Sequence, residues 1–394
     1  MKKVLVVGDG GVATGFARVL HSIIDNWPSE DYEFYHLAVN YRGDPYRLVN
    51  PRHYMYPAML GGDLYGMNRI QSLLATVKPD LIFILNDLWG IESYLQRLKE
   101  EDYKKTVVYF PVDGTHSDEQ WLINFGKLGA VVAYTEFGKQ EVNVLRPSLH
   151  TEIIPHGVDT NIFFPIDQKE ARRVLKVIDP NDFVVFNGNR NQPRKRVDLT
   201  IEAFAKFAQD KPQSVKLYLH MGVDDSGWNL KKMSRRYGIQ DRVIITSENL
   251  SPQSAVPINM LNVIYNATDI GLNTSMGEGW GLVNVEHAVT GAAQVVPNSS
   301  ACTELWNGCG ALIDIHHWDT HTGILTRGAV IDTDHAAALL EYLYQNPEAR
   351  YSLGDAAQIK FSNPKFSWRE ISKTWLDLFE KVINANNMAH TTGK

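Results

Sequence analysis

SMGEGWGLVNVEHAVTGAAQVVP, Ser275 to Pro297, places two glutamates, Glu278 and Glu286, eight residues apart around a Gly-Trp-Gly turn. The apolar and small residues after Gly281 predict a helix that carries Glu286, and Gln294–Val296 predicts a strand. The first turn of a helix has unpaired N–H groups and the positive end of the helix dipole, so Gly279–Leu282 is expected to attract an anion. From Leu282 to Glu286 a helix rises only ~6 Å. One carboxylate then stands on each side of a bound diphosphate, Glu278 for sugar hydroxyls and Glu286 for ribose hydroxyls. That is the outline of a nucleotide-sugar pocket. Trp280 reads equally as a wall of that pocket or as core.

Outward from this stretch, short apolar runs alternate with amphipathic segments almost throughout. Strands are predicted at Val4–Val7, Tyr32–Val39, Leu81–Leu85, Thr106–Phe110, Ala130–Tyr134 and Glu152–Ile154, then at Phe183–Phe186, Val215–Leu219, Val243–Ile245, Ile270–Leu272 and Gln294–Val296. Helices fall between them, and the alternation implies parallel sheets covered on both faces. PHGVDTNIFFPIDQ, Pro155 to Gln168, breaks the rhythm with two prolines, a glycine and aspartates, and reads as a linker. The result is an α/β protein with an N-terminal domain over 1–165, a C-terminal domain over 166–365 and a terminal helical segment over 366–394. The polar tail from Asn386 reads as disordered.

Composition sets the outer limits. With 394 residues, 44% hydrophobic, 21% charged and a net charge of −6, the chain is an ordinary globular protein and a poor general polyanion binder. Two cysteines, Cys302 and Cys309, supply neither a disulfide scaffold nor a metal site, which points to a reduced, cytoplasmic setting. MKKVLVV has too short an apolar run for a signal peptide, against the ~7–15 residues required, and no run reaches the ~20 of a membrane span. Peripheral membrane contact stays open.

Ligands of doubly wound sheets sit beyond the carboxyl ends of strands, and the remaining motifs lie there. Gly10 and Gly11 in GDGGVATGFARV follow the first strand and let backbone N–H groups approach a donor phosphate; the plain alternative is a tight turn with no ligand. The pattern misses G-x-G-x-x-G and has no Walker lysine, so it is a weak nicotinamide signature. In FNGNRNQPRKRVD, Arg190, Arg194, Lys195 and Arg196 cluster at a strand end and suit a diphosphate. A charge run alone is more often a solvated loop; the glutamates in the same domain tip the balance. In YFPVDGTHSDEQW, Asp113 and His116 stand ready for the reacting sugar or the acceptor, with a turn aspartate and a capping or surface histidine as the plain alternatives. Glu304 either reaches the nucleotide or caps the helix at Leu305. Tyr41–Arg69 is rich in Tyr and Arg that can stack on sugars or bases, or simply form a long, partly buried loop. Residues 1–165 hold 15 Lys and Arg against 20 Asp and Glu, so a nucleic-acid acceptor is not favoured.

At these residues the chain resembles the retaining glycosyltransferases of family 4, which have the GT-B fold. Their EGFGL…E element reads EGWGLVNVE here, and their G-R-x4-K-G reads NRNQPRKR, with Arg190 and Lys195 in the basic places and Arg196 where glycine is usual. Their IPNGVD linker reads IPHGVD, with His156 in the Asn place, and ATDIGLNTSMGEG resembles their A-D-x4-P-S-x-x-E-G. The resemblance implies two facing Rossmann-like domains with an interdomain cleft, a UDP- or GDP-linked sugar in the C-terminal one, no metal or cofactor, and a last helix returning to the first domain. It implies transfer of a hexose to a hydroxyl acceptor with retained anomeric configuration, with Asp113, Glu278, Arg190 and Lys195 at the reacting centre. Gly279, Trp280, Gly281, Leu282 and Glu286 would line the donor. The family's N-terminal histidine has no clear counterpart; Asp113 is nearest by position. The competing readings are a non-catalytic GT-B protein, a nucleotide-sugar epimerase and a nicotinamide-dependent oxidoreductase. Donor base, sugar, acceptor, linkage and oligomeric state are not readable.

Overall fold

The apolar run near the N-terminus forms the first strand, β1 (Lys2–Asp9), with Val4–Val7 fully buried. It is followed by β2 (Tyr32–Val39), β3 (His53–Pro57), β4 (Leu81–Leu85), β5 (Thr106–Phe110), β6 (Ala130–Ala133) and β7 (Glu152–Ile153). A computed structural model describes residues 1–223, 225–247, 250–251 and 254–392, with side chains as far as residue 388. Among them, the seven strands form one parallel sheet in the order β3-β2-β1-β4-β5-β6-β7. Strands such as LIFIL and TVVYF are apolar at nearly every position because helices cover both faces of such a sheet.

The second sheet contains β8 (Phe183–Asn187), β9 (Val215–Leu219), β10 (Val243–Ile245), β11 (Ile270–Leu272), β12 (Ala293–Pro297) and β13 (Ala311–Ile313). Its order, β10-β9-β8-β11-β12-β13, repeats that of the first sheet: third, second, first, fourth, fifth, sixth. This is the Rossmann order, in which the strand sequence reverses beside the first strand and opens a crevice there. A hairpin, β14 (Ile315–Thr320) and β15 (Arg327–Ile331), completes the C-terminal part. Its outer strand, IHHWDT, has almost no buried residue.

The chain divides into two compact units. One holds Met1–Val112, Asp118–Gly157 and the segment from Lys365 onward; the other holds Asp113–Ser117 and Val158–Pro364. The short piece Asp113–Ser117 thus belongs to the second unit, and the chain enters the main body of that unit between Gly157 and Val158. The terminal helix, Trp368–Thr392, is an integral layer of the first unit. Trp375 is fully buried, with ring centroids 4.8 Å from Phe83 and 4.7 Å from Tyr109. Ser372 donates to the carbonyl of Ile23 at 2.9 Å.

Among the departures from the expectations are three elements. β3 lies within the stretch expected to be loop; it is a short edge strand ended by Pro57, where a proline costs no ladder bond. Helix Gln168–Leu175 follows the linker, started by Asp167, whose side chain accepts from the Glu170 N–H. The terminal helix does not end at Ala385 but continues through the tail expected to be disordered, of which residues 393–394 lie outside the described residues. Removing the Trp375 ring opens a cavity between that helix and the sheet. Trp375→Ala should destabilise the first unit by about 3–5 kcal/mol, read as a lowered midpoint of chemical unfolding.

Candidate functional site

β8 and β11 are hydrogen-bonded neighbours at the point where the second sheet reverses. The loop after β8 carries Lys195 and the loop after β11 carries Glu278, so both stand at the crevice that topology opens. Local chemistry fixes each loop. Asn187 accepts from the Asn189 N–H at 2.9 Å and donates to Thr200 at 2.8 Å. Asn191, fully buried, exchanges two bonds with the backbone of Trp228, at 2.7 and 3.0 Å. The chain then tightens into a 3-10 turn, Pro193–Lys195. The two loops are joined by Thr200 and Thr274, whose hydroxyls lie 2.7 Å apart, and by the Met276 N–H, which donates to the Arg194 carbonyl at 2.8 Å.

At the centre, Lys195 Nζ lies 2.6 Å from both Glu278 carboxylate oxygens. Glu278 Oε1 also accepts from Ser275 Oγ at 2.7 Å and from Asn273 Nδ2 at 3.1 Å. The Glu278 N–H donates to Ser300 Oγ at 3.0 Å. Arg194 Nη1 lies 3.0 Å from Asp113 Oδ2 and 4.0 Å from Glu278 Oε2, and donates to the Gly277 carbonyl at 3.2 Å. Charges therefore alternate along a line: Asp113, Arg194, Glu278, Lys195. Lys195 and Glu278 are only 7% and 4% exposed.

Burial raises the Glu278 pKa, but Lys195, Arg194 and the hydrogen bonds from Lys195 and Ser275 outweigh it and hold the carboxyl down at about 2. Burial and Arg194 lower the pKa of Lys195, against the raising effect of Glu278 and Asp113. The carboxylate decides the pair: an ionised Glu278 at 2.6 Å favours the charged ammonium.

The hairpin brings Asp113 to this line. Thr115 and Arg327 exchange backbone bonds of 2.9 and 2.8 Å, and the Ala329 N–H donates to the Met276 carbonyl at 2.7 Å. A Cβ at Gly277 would stand 1.5 Å from the Asp113 carbonyl oxygen, so only glycine permits the approach. His321, at the hairpin end, has its pKa lowered by burial and by Arg194, against the opposing effect of Asp113.

The other expected residues lie as follows. Arg190 is held in a two-bond fork by Asp225, at 2.6 and 3.1 Å, so the guanidinium beside Glu278 is that of Arg194. Glu286, 2% exposed, accepts from the Tyr265 hydroxyl at 3.1 Å. Gly279 and Trp280 are buried, whereas Gly281 and Leu282 are partly open. Gly281 takes φ 84° as it starts the helix Leu282–Ala288, a conformation that favours glycine. His116 is exposed, its Nδ1 2.9 Å from Thr115 Oγ1, and Glu304 is an exposed residue inside the helix Ser300–Trp306 rather than its cap. In the first unit, a Cβ on Gly10 would meet the His36 ring at 2.7 Å, and one on Gly11 the Tyr41 ring at 2.5 Å, so packing alone demands both glycines. Sequence reasoning passed over Asn273, Ser275, Ser300 and His321. Asn273 and Ser275 alternate within LNTSMGE ahead of Glu278, a pattern that faces one side of an extended chain.

The comparisons fit this geometry. The chain matches a sucrose-phosphate synthase from Thermosynechococcus elongatus over 98% of its length and all of that chain, with a TM-score of 0.77 at 15% identity. It matches the Anabaena protein HepE, solved with UDP and glucose, over 96% of its length and all of that chain, with a TM-score of 0.70 at 18% identity. The fold is GT-B. In sequence, this GT-B chain is 26% identical over 258 residues to a D-inositol 3-phosphate glycosyltransferase of Mycobacterium marinum, 64% of this chain and 50% of that one. It is 31% identical over 147 residues to the protein of the same name from Segniliparus rotundus, 36% of this chain and 31% of that one. The chain thus spans half or less of the length of these curated relatives. The likeness to family 4 glycosyltransferases drawn from the motifs agrees with them. No protein-family model matches the chain.

The ion line has a pH signature. Glu278 is held at about 2 in the folded protein against an ordinary 4.5. Its contribution to stability is therefore complete above about pH 4.5 and disappears as pH falls through 2, a loss of about 3 kcal/mol. Glu278→Gln should flatten the fall in unfolding free energy between pH 5 and 2.5 by most of that amount, about 2 kcal/mol, measured by urea titration at each pH.

Proposed function

We propose that the chain is a retaining glycosyltransferase that moves a hexose from a nucleoside diphosphate to a hydroxyl acceptor. One observation carries this reading: two cations and two carboxylates are fixed in an alternating line at the switch point of the second sheet. As the anomeric bond breaks, negative charge grows on the leaving diphosphate. Lys195 and Arg194, held in place before the donor arrives, would meet that charge without reorganisation, and the partly open turn at Gly281–Leu282 would add backbone N–H groups. Glu278 would orient the sugar hydroxyls, as in the family the motifs resemble. Asp113, fixed through Arg194, would serve the acceptor side of the sugar. Glu286, beside Tyr265, is retained as the ribose contact.

Retention follows most simply from attack on the face the diphosphate leaves. Glu278 is a poor nucleophile, because an ammonium and two side-chain hydrogen bonds already engage its oxygens. The departing phosphate oxygen would take the acceptor's proton. A UDP-linked hexose is the first donor to test, since the Anabaena neighbour is also solved with UDP-glucose. We place the reaction in the cytoplasm, a setting that suits two free, buried cysteines. Among the described residues no helix is long and apolar enough to cross a membrane.

The test is donor turnover, followed as release of nucleoside diphosphate in the presence of candidate acceptors. Lys195→Ala and Arg194→Ala should each lower kcat/KM by about a hundredfold or more, whereas Arg190→Ala should change it by less than about tenfold, the loss expected for a surface ion pair at most. Unchanged turnover in Lys195→Ala would remove the proposed site. Conversion of the donor with no acceptor present would favour an epimerase instead. Because two fixed cations supply the positive charge, activity should survive EDTA undiminished; a loss restored by Mg2+ or Mn2+ would overturn the metal-independent part of the reading.

A further inference from the structure

A cavity of about 530 Å³ opens in the first unit, within the ~300–1,000 Å³ typical of small-molecule sites. It is built at the amino ends of strands, where Gly129 leads into β6 and Glu152 begins β7. Rossmann-type ligands bind at the opposite, carboxyl ends, so the donor crevice does not explain it. Leu122, Phe125, Leu128, Leu149 and Leu378 give it apolar walls, and Ile123, 58% exposed, stands among the lining residues.

The charged lining is unbalanced. Glu152 is matched by Lys381 at 3.2 Å and by His150 at 3.3 Å. Arg146, which ends the helix Glu136–Leu145, has no carboxylate partner among the described residues. Its one hydrogen bond there is a long one, 3.4 Å, from Nη2 to the Glu119 carbonyl. Its Nε is buried with no partner. With Nε closed off by the surrounding atoms, the terminal nitrogens are what the cavity presents, and a guanidinium matches an oxyanion that accepts two bonds at once. The cavity therefore offers an unmatched guanidinium, two further nitrogen groups and an apolar bed beside them.

We propose that this cavity binds a phosphate carried on an alkyl chain, the head on Arg146 and the first carbons along the leucines. The two halves of the site give a discriminating test on the full-length protein, by calorimetric titration with octyl phosphate, octanol and inorganic phosphate. Octyl phosphate should bind saturably, and the other two at least about tenfold more weakly, since each keeps half of the recognition. Arg146→Gln should weaken octyl phosphate about tenfold or more. Gly126→Leu should do the same from the other side, by filling space: a Cβ on Gly126, which lines the cavity, meets nothing within 4 Å, so the variant should fold as the wild type does. Both variants should turn over donor at the wild-type rate. Saturable binding that survives either substitution, equal binding of octanol or of inorganic phosphate, or no binding of octyl phosphate would each overturn the proposal. Binding to phosphatidic acid vesicles without binding of monomeric octyl phosphate would also overturn it, by assigning the charge to a bilayer surface.

Discussion

An ammonium and a carboxylate taken out of water together lose several kcal/mol of hydration each, and their attraction repays that only when geometry is tight and every remaining lone pair is used. The contact between Lys195 and Glu278 has the tight geometry, 2.6 Å from the ammonium to both oxygens, and the architecture around it holds that geometry in place. Ser275 and Asn273 both donate to Oε1 of the carboxylate, and the Arg194 guanidinium lies 4.0 Å from Oε2. Asn273 is in turn fixed by Asn284, and Asn284 by Gln294 at 2.9 Å, so the network reaches through the helix into β12. Thr274 joins the two loops that carry the charges, its hydroxyl donating to the Arg196 carbonyl at 2.8 Å and lying beside that of Thr200. Such a network is of high consequence in a low-dielectric interior: complete, it holds one arrangement; broken at one member, it leaves a charge unmatched. A site that must stabilise charge during a reaction gains from this rigidity, because its dipoles and charges are already oriented.

The sheets were the most legible part of the sequence. Parallel strands with helices on both faces must be apolar along their whole length, and LIFIL, TVVYF and FVVF announce themselves for that reason. That Lys195 and Glu278 share one site was legible in outline, since each stands just past a strand of the same domain. What could not be read was which neighbouring guanidinium lies beside Glu278. Arg190 and Arg194 are chemically identical, and the selection is made by the Asn191 anchor, the 3-10 turn and Asp225, all of which depend on residues distant in sequence.

The hairpin β14–β15 was missed for a related reason. Its outer strand is polar on both faces and shows no alternation, because it is exposed at nearly every position; only β15, with Gly328–Ile331 buried, carries an apolar signal. Helix Gln168–Leu175 did leave a trace, the Asp167 and Glu170 spacing of a helix start, which the charged composition after it obscured. The tail beyond Ala385 is polar, yet it prolongs a helix whose earlier turns are anchored by Trp375 and Phe379, and continuing a helix costs far less than starting one.

The loan of Asp113–Ser117 to the other unit bears on how this molecule can have changed over time. The chain passes between its units at four places, and neither unit is one uninterrupted stretch. A gene fragment encoding only residues 158–364 would lack Asp113, would leave the Arg327 backbone without Thr115, and would take from Arg194 its 3.0 Å carboxylate contact. The back half is thus not a cassette that recombination can transplant whole. Any change around Asp113 must keep the backbone bonds that tie Thr115 to Arg327.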